Sequence, residues 1–301
     1  MEHFYSHGKL LITGEYAVLK GAKALAIPCK KGQKLSVTPI EDSKVEWNSF
    51  DVHQNRWFTA HFKTTEFSIL ESTDRVVANR LSTLLKIARE ENESFLEKGC
   101  TVNTELEFDR RWGLGSSSTL VSNVARWAKV NPYTLLEKTF GGSGYDLACA
   151  QADRPLFYTR QEYSPLIESV SFSPPFKEHL FFVFLNQKQN SQEAVRSFAP
   201  VELSISVMNL INELSEKIAH CTSQETFNLL LKEHESTVGQ IIGQIPIQQR
   251  IFSDFDGVVK SLGAWGGDFI LASGNKNTPA YFKKRGFSTI VPFSEMCYSD
   301  V

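Results

Sequence analysis

No charge of one sign dominates this chain. Its 32 Lys and Arg residues face 34 Asp and Glu, a net charge of −2. A general affinity for nucleic acid therefore has no electrostatic basis. Basic runs such as Lys30-Lys31, Arg110-Arg111 and Lys283-Lys284-Arg285 are short enough to be solvated surface. Cysteine is sparse. The five residues, Cys29, Cys100, Cys149, Cys221 and Cys297, are odd in number and scattered, with no Cys-x-x-Cys or Cys/His pair at zinc spacing. That pattern excludes a disulfide framework and fits reduced thiols in a cytoplasmic protein. Long apolar runs are missing too. Leu180-Phe-Phe-Val-Phe-Leu185 has the length of a strand, whereas a membrane span needs about 20 apolar residues. Glu2, His3, His7 and Lys9 precede any apolar run, which argues against a secretory leader. There is no solenoid period and no low-complexity tract.

What is present is an ordinary globular composition: 301 residues, 42% hydrophobic and 22% charged. That length suits two domains. Pro165, Pro174 and Pro175 make the stretch around Ser164–Ser173 rich in turns, and the boundary is placed there, giving domains 1–168 and 169–301. The first half opens with short apolar strands at 9–13, 24–28 and 35–38, then alternating segments within 41–67. A helix follows over 76–91, with Val77, Leu81, Leu84, Leu85 and Ala88 on one face. The second half reads strand, helix, helix, strand, helix, strand, with helical spacing over 203–219 and 227–242. His234 lies on the apolar face of the second of these helices.

The stretch Trp112-Gly-Leu-Gly-Ser-Ser-Ser-Thr119 has the strongest chemical signature. Leu120, Val121, Val124, Trp127 and Ala128 recur behind it at helical spacing, so Ser116 to Thr119 mark a helix start. A helix N-terminus exposes unpaired N–H groups and carries roughly half a positive charge. Gly113 and Gly115 let an anion approach the backbone, and the hydroxyls add donors or a ligand for a phosphate-bound cation. An ordinary glycine loop with a Ser/Thr cap would read the same way. Two further glycine turns weigh on the choice. Gly141-Gly142-Ser143-Gly144 opens the small-residue segment Tyr145-Asp146-Leu-Ala-Cys-Ala, and Gly263-Ala-Trp-Gly-Gly-Asp268 runs into a short strand.

Together these residues resemble the GHMP kinase superfamily. Its first motif is similar to Gly8-Lys9-Leu-Leu-Ile-Thr-Gly-Glu15-Tyr-Ala-Val-Leu19. Its ATP phosphate loop is similar to Gly113-Leu114-Gly115-Ser116-Ser117-Ser118. Its aspartate segment resembles Ser143-Gly144-Tyr145-Asp146, and its third motif resembles Ser261-Leu-Gly-Ala-Trp-Gly-Gly-Asp268. Gly14-Glu15-Tyr16 and the terminal Gly-Gly-Asp268 lean toward phosphomevalonate kinases over mevalonate kinases, which usually carry His after the Glu. The chain departs from the pattern at His7, where a Pro is usual, and at Trp265, where the family has glycine. The interval between Ser118 and Asp146 is also short.

The resemblance implies an α+β two-domain GHMP kinase fold, with a ribosomal protein S5 domain 2-like N-terminal domain and a ferredoxin-like C-terminal domain. It implies ATP and Mg²⁺ as cofactors and a small-molecule acceptor, phosphomevalonate or mevalonate. No nucleic-acid or membrane partner is implied, and a homodimer is compatible with it. Asp146 and Lys9 become the catalytic pair, and Gly113, Leu114, Gly115, Ser116, Ser117 and Ser118 hold the nucleotide. Glu15, Ser143, Gly144, Ser191, Gly263, Gly266 and Gly267 fall near the acceptor. Ser117 and, with poorer alignment, Glu137 are the magnesium ligands. Two other readings stay open: a mevalonate diphosphate decarboxylase-like enzyme, and a nucleotide-binding homologue without turnover, for which Trp265 would be the reason.

Overall fold

A computed structural model describes residues 1–161, 164–187, 191–265 and 268–298. In chain order, β1 (Glu2–Leu11), β2 (Ala24–Pro39), β3 (Lys44–Phe50), β4 (Arg56–Lys63) and β5 (Ile69–Ser72) precede α1 (Arg75–Glu91) and β6 (Cys100–Leu106). Next come α2 (Ser116–Ala128), α3 (Pro132–Thr139), α4 (Tyr145–Gln151), β7 (Leu156–Thr159) and β8 (Leu166–Ser169). Then follow β9 (Leu180–Phe184), α5 (Ser191–Phe198), α6 (Ile205–Ala219), α7 (Gln224–Ile242) and α8 (Ile247–Ile251). The chain ends with β10 (Val258–Ser261), β11 (Phe269–Ser273), α9 (Thr278–Lys284), β12 (Ile290–Pro292) and α10 (Phe293–Met296). Two compact units interleave along it. One contains Met1–Gly8, Lys31–Arg110 and Leu114–Gln151; the other contains Lys9–Lys30, Arg111–Gly113 and Ala152–Val301.

In the first unit, strands run in the order β5-β4-β3-β6-β2. All pairings are antiparallel except β3 with β6, where Trp47 lies opposite Val102. Burial alternates along β6, so Cys100, Val102, Thr104 and Leu106 face inward while their neighbours face out. This is the period-2 pattern of a sheet with one covered face. Helices α1, α2 and α3 supply Leu81, Leu84, Leu85, Val121, Val124 and Leu135 to the same apolar core. Asp74 caps α1 by accepting from the N–H groups of Val76 and Val77. Asn131 caps α3 ahead of Pro132, where a missing N–H costs nothing.

In the second unit, Ala24–Ala26 of β2 pair with β7, and β7 pairs with β8. A separate antiparallel sheet has the order β10-β11-β9-β12. Its central strand β9, Leu-Phe-Phe-Val-Phe, is buried along its whole length. One apolar cluster joins Val183, Phe252, Phe255, Val259, Ile270 and Phe282.

Residues 24–39 form one 16-residue strand rather than two. The Lys30-Lys31-Gly32 stretch stays extended, and the Glu107 carboxylate accepts the Gly32 N–H at 3.0 Å. Helix α5 and strand β10 lie outside the expected element order. The first is short and polar, and the second hides a lysine among apolar neighbours.

Candidate functional site

Helix α2 begins as its sequence dictates. Gly115 is its N-cap, in the left-handed region at φ 86°, and contributes no side-chain cap. The leading N–H groups of a helix have no intrahelical acceptor, so those of Ser116, Ser117 and Ser118 stay available to an anion. The first helical bond runs from Thr119 N–H to the Gly115 carbonyl at 2.9 Å. Ser117 is exposed, Gly115 and Ser116 are half-buried, and Leu114 and Ser118 are buried. A polar seam fixes the helix to the strands beneath it. Thr119 Oγ1 donates to Gln33 Oε1 at 2.8 Å, Asn123 Nδ2 to the Gln33 carbonyl at 3.0 Å, and Ser6 Oγ to Asn123 Oδ1 at 2.8 Å. Buried hydrogen bonds of this kind are costly to break, so the N-terminus of α2 is held rigidly in its unit.

Gly141, Gly142 and Gly144 all adopt positive φ (66°, 119° and 89°) in the turn that opens α4. Asp146 lies in the first turn of α4. Ser118 Oγ donates to Asp146 Oδ2 at 3.3 Å. The structure thus brings Ser118 and Asp146 together in one unit, at the start of two helices. Ser143 precedes them, half-buried, and the Gly144 carbonyl accepts from Leu147 N–H at 3.0 Å.

Lys9 belongs to the second unit. It lies half-buried on β1, near enough to Cys29 to act on its thiol, although burial dominates there and pushes that thiol up to about 12. Glu15, expected near the acceptor, lies just after β1. It is fully buried, and its carboxylate pairs with Lys260 Nζ, itself fully buried on β10. The second oxygen of Glu15, Oε2, is buried 3.7 Å from His234 Nε2 without a hydrogen-bond partner among the described residues. Burial pushes Glu15 up to about 7, against the opposing pull of Lys260. Glu235, on α7, is also raised by burial. It lies 3.9 Å from Lys260 and accepts the Ser261 N–H through both oxygens at 3.0 and 3.1 Å. His234 Nε2 accepts the Gly14 N–H at 2.9 Å, which leaves the ring proton on Nδ1. Burial, aided by Lys260, holds His234 well below its ordinary range, so the ring is neutral. Lys260 was not singled out in the sequence. Its signal was a lysine inside Val258-Val259-Lys260-Ser261, since a charge in a buried strand demands a partner.

The third glycine turn starts where this cluster ends. Gly263 has φ 58°, and Trp265 adopts φ 56° despite its side chain. Gly266 and Gly267 lie outside the described residues. Asp268 packs its carboxylate against Gly113, so a Cβ at 113, where φ is 65°, would overlap it. Trp112 meets Phe269 edge-to-face at 5.4 Å between centroids. Ser191 starts α5. Glu137 lies on the exposed face of α3, and no group of three His, Cys, Asp or Glu among the described residues is arranged to hold a metal ion. No described helix is long and apolar enough to cross a membrane.

By sequence, no family model and no curated protein matches this chain. By structure, similarity is extensive. A Methanococcus jannaschii mevalonate kinase superposes with a TM-score of 0.70 at 13% identity, covering 100% of this chain and 98% of that one. A Streptococcus pneumoniae phosphomevalonate kinase, solved with phosphomevalonate and AMPPNP, gives 0.69 at 15% identity over 95% and 96% of the two chains. A Lactococcus lactis galactokinase bound to galactose gives 0.69 at 14% identity over 99% and 93%. The α+β arrangement of this chain is therefore the GHMP kinase fold.

Proposed function

We propose that this chain is an ATP-dependent small-molecule kinase of the GHMP superfamily, and that its acceptor is phosphomevalonate or, second, mevalonate. The observation that carries this reading is the glycine-capped start of α2 with Ser118 hydrogen-bonded to Asp146. The kinase neighbours support it, one of them bound to phosphomevalonate and an ATP analogue.

Phosphoryl transfer needs positioning and charge neutralisation more than covalent chemistry. The N–H groups of Ser116 to Ser118 and the helix dipole would hold the triphosphate, with Gly113 and Gly115 admitting it to the backbone. Asp146 would orient the attacking oxygen and take its proton, a contribution of roughly 10²–10⁴-fold where the acceptor is an alcohol. A phosphate acceptor is already nucleophilic, and Asp146 would then chiefly orient. Lys9, on the family pattern, neutralises charge on the transferred group. Oxygen donors at the start of α2 suit magnesium, which takes one or two protein ligands and fills its remaining positions with phosphate and water. Ser117, exposed on that first turn, is the residue that would hold it. The family pattern also implies a cytoplasmic enzyme acting on a soluble small molecule.

The test is ADP release with ATP, Mg²⁺ and each of mevalonate, phosphomevalonate, diphosphomevalonate, homoserine and galactose. Acceptor-dependent release, greatest with phosphomevalonate, is expected. Tight ATP binding with no acceptor-dependent release would overturn the proposal in favour of a binding protein.

A further inference from the structure

One of the residues that depart from the family pattern, Trp265, is buried with a positive φ and an unpartnered indole N–H. Trp265 is only 3% exposed. Its indole packs with Ala17, Ala22, Ile211 and Val238. Its backbone is in the left-handed region, which a bulky side chain adopts only when its surroundings impose it. Its indole N–H is buried without a hydrogen-bond partner. A buried tryptophan ordinarily finds a partner for its N–H; here a positive φ and an unpartnered N–H fall on one residue.

The surroundings are shaped to fit it. Gly239, inside α7, lies beside the ring, with Trp265 Cη2 3.4 Å from where a Cβ would stand, although the closer bar to a side chain there is the Gln244 carbonyl at 2.7 Å. Tyr16, on the first-motif turn, donates its hydroxyl to the Ala264 carbonyl at 3.0 Å. Tyr16 also has a positive φ, 63°, and packs on the same apolar cluster. At the entrance to the turn, Glu235 accepts the Ser261 N–H. Residues 261–265 are therefore held at the entrance, at the carbonyl before the tryptophan and at the indole. Every holding group comes from the same unit.

We propose that Trp265 is a positioning residue that sets residues 261–265, the first part of the third glycine turn, before any ligand arrives, by anchoring them to the first-motif turn and to α6 and α7. This rests on the kinase reading above for its consequence in turnover, but not for its structural content. A glycine in this place leaves a turn free to sample conformations and to be ordered by its ligand. The indole removes that freedom from residues 261–265, so the acceptor meets this part of the turn already in place. Binding then escapes the loss of affinity that accompanies a fractionally populated competent state.

The full chain carrying Trp265→Gly, Trp265→Leu or Trp265→Phe tests this in two ways. Amide hydrogen exchange over 258–265, without ligand, should be slow in the wild type, at least tenfold faster in Trp265→Gly, intermediate in Trp265→Leu and restored in Trp265→Phe. In ADP-release kinetics with the best acceptor of the panel, Trp265→Gly should raise the acceptor KM at least fivefold and leave kcat within twofold. Unchanged exchange in Trp265→Gly overturns the proposal; if that variant does not fold, unchanged exchange in Trp265→Leu does so. An equal loss in kcat and KM with unchanged exchange overturns it as well. Exchange needs no turnover, so a chain that releases no ADP defeats the kinase reading while the anchoring claim is still decided by its own measurement.

Discussion

Replacing Glu15 by Gln tests the buried cluster through its pH dependence. In the native chain Glu15 titrates at about 7, against 4.5 when exposed, because burial outweighs the attraction of Lys260. Between these values the native state holds a proton that the unfolded state has released. Stability from this group is therefore fully present below pH 4.5 and is lost as pH rises through 7. The difference of roughly 2.5 units, at about 1.4 kcal/mol each, comes to about 3 kcal/mol. Two neighbours also titrate. Glu235 is raised, so its contribution is likewise lost as pH rises. His234 is held neutral, so its contribution is lost as pH falls below its ordinary 6.5. Both remain in Glu15→Gln, so the difference between wild type and variant reads Glu15 together with its coupling to them. Urea unfolding at pH 4.5, 5.5, 6.5 and 8 reads it. The wild type should lose about 3 kcal/mol relative to Glu15→Gln from the lowest to the highest pH. Parallel curves for the two proteins would refute the assignment of Glu15 as the titrating member.

Three further substitutions follow from geometry. Gly14→Ala should lower Tm by several degrees or abolish soluble expression, because φ is 81° and a Cβ would meet Ala24 Cβ at 2.7 Å; an unchanged melting curve would contradict the described turn. Gly113→Ala sets a methyl against the Asp268 carboxylate at a positive φ. It should weaken ATP binding at least tenfold by calorimetry, and Asp268→Ala in the same chain should recover part of that loss. Ser118→Ala removes one hydrogen bond to Asp146, so kcat should fall several-fold with ATP affinity nearly kept, as read by ADP release and calorimetry.

Much of this architecture was legible because its signals are local. Gly115 before three serines marks the start of α2, and the apolar spacing of Leu81, Leu84 and Leu85 marks α1. What escaped depends on partners distant in sequence. Glu15 and Lys260 are 245 residues apart, so neither residue reveals the pairing alone. The Gly113–Asp268 packing is of the same kind. Trp265 was legible as an anomaly but not as an anchor. Its fit depends on Ile211 and Val238 in two helices and on Ala17 and Ala22 near the chain start, a shape no single segment encodes.

The account stands or falls on Asp146. The direct measurement is kcat and ATP dissociation constant for wild type and Asp146→Ala, by ADP release and calorimetry with the best acceptor of the panel. The account predicts a loss in kcat of at least 10²-fold with ATP affinity within a few-fold. Equal losses in both, as expected of a residue that only stabilises the first turn of its helix, would contradict it.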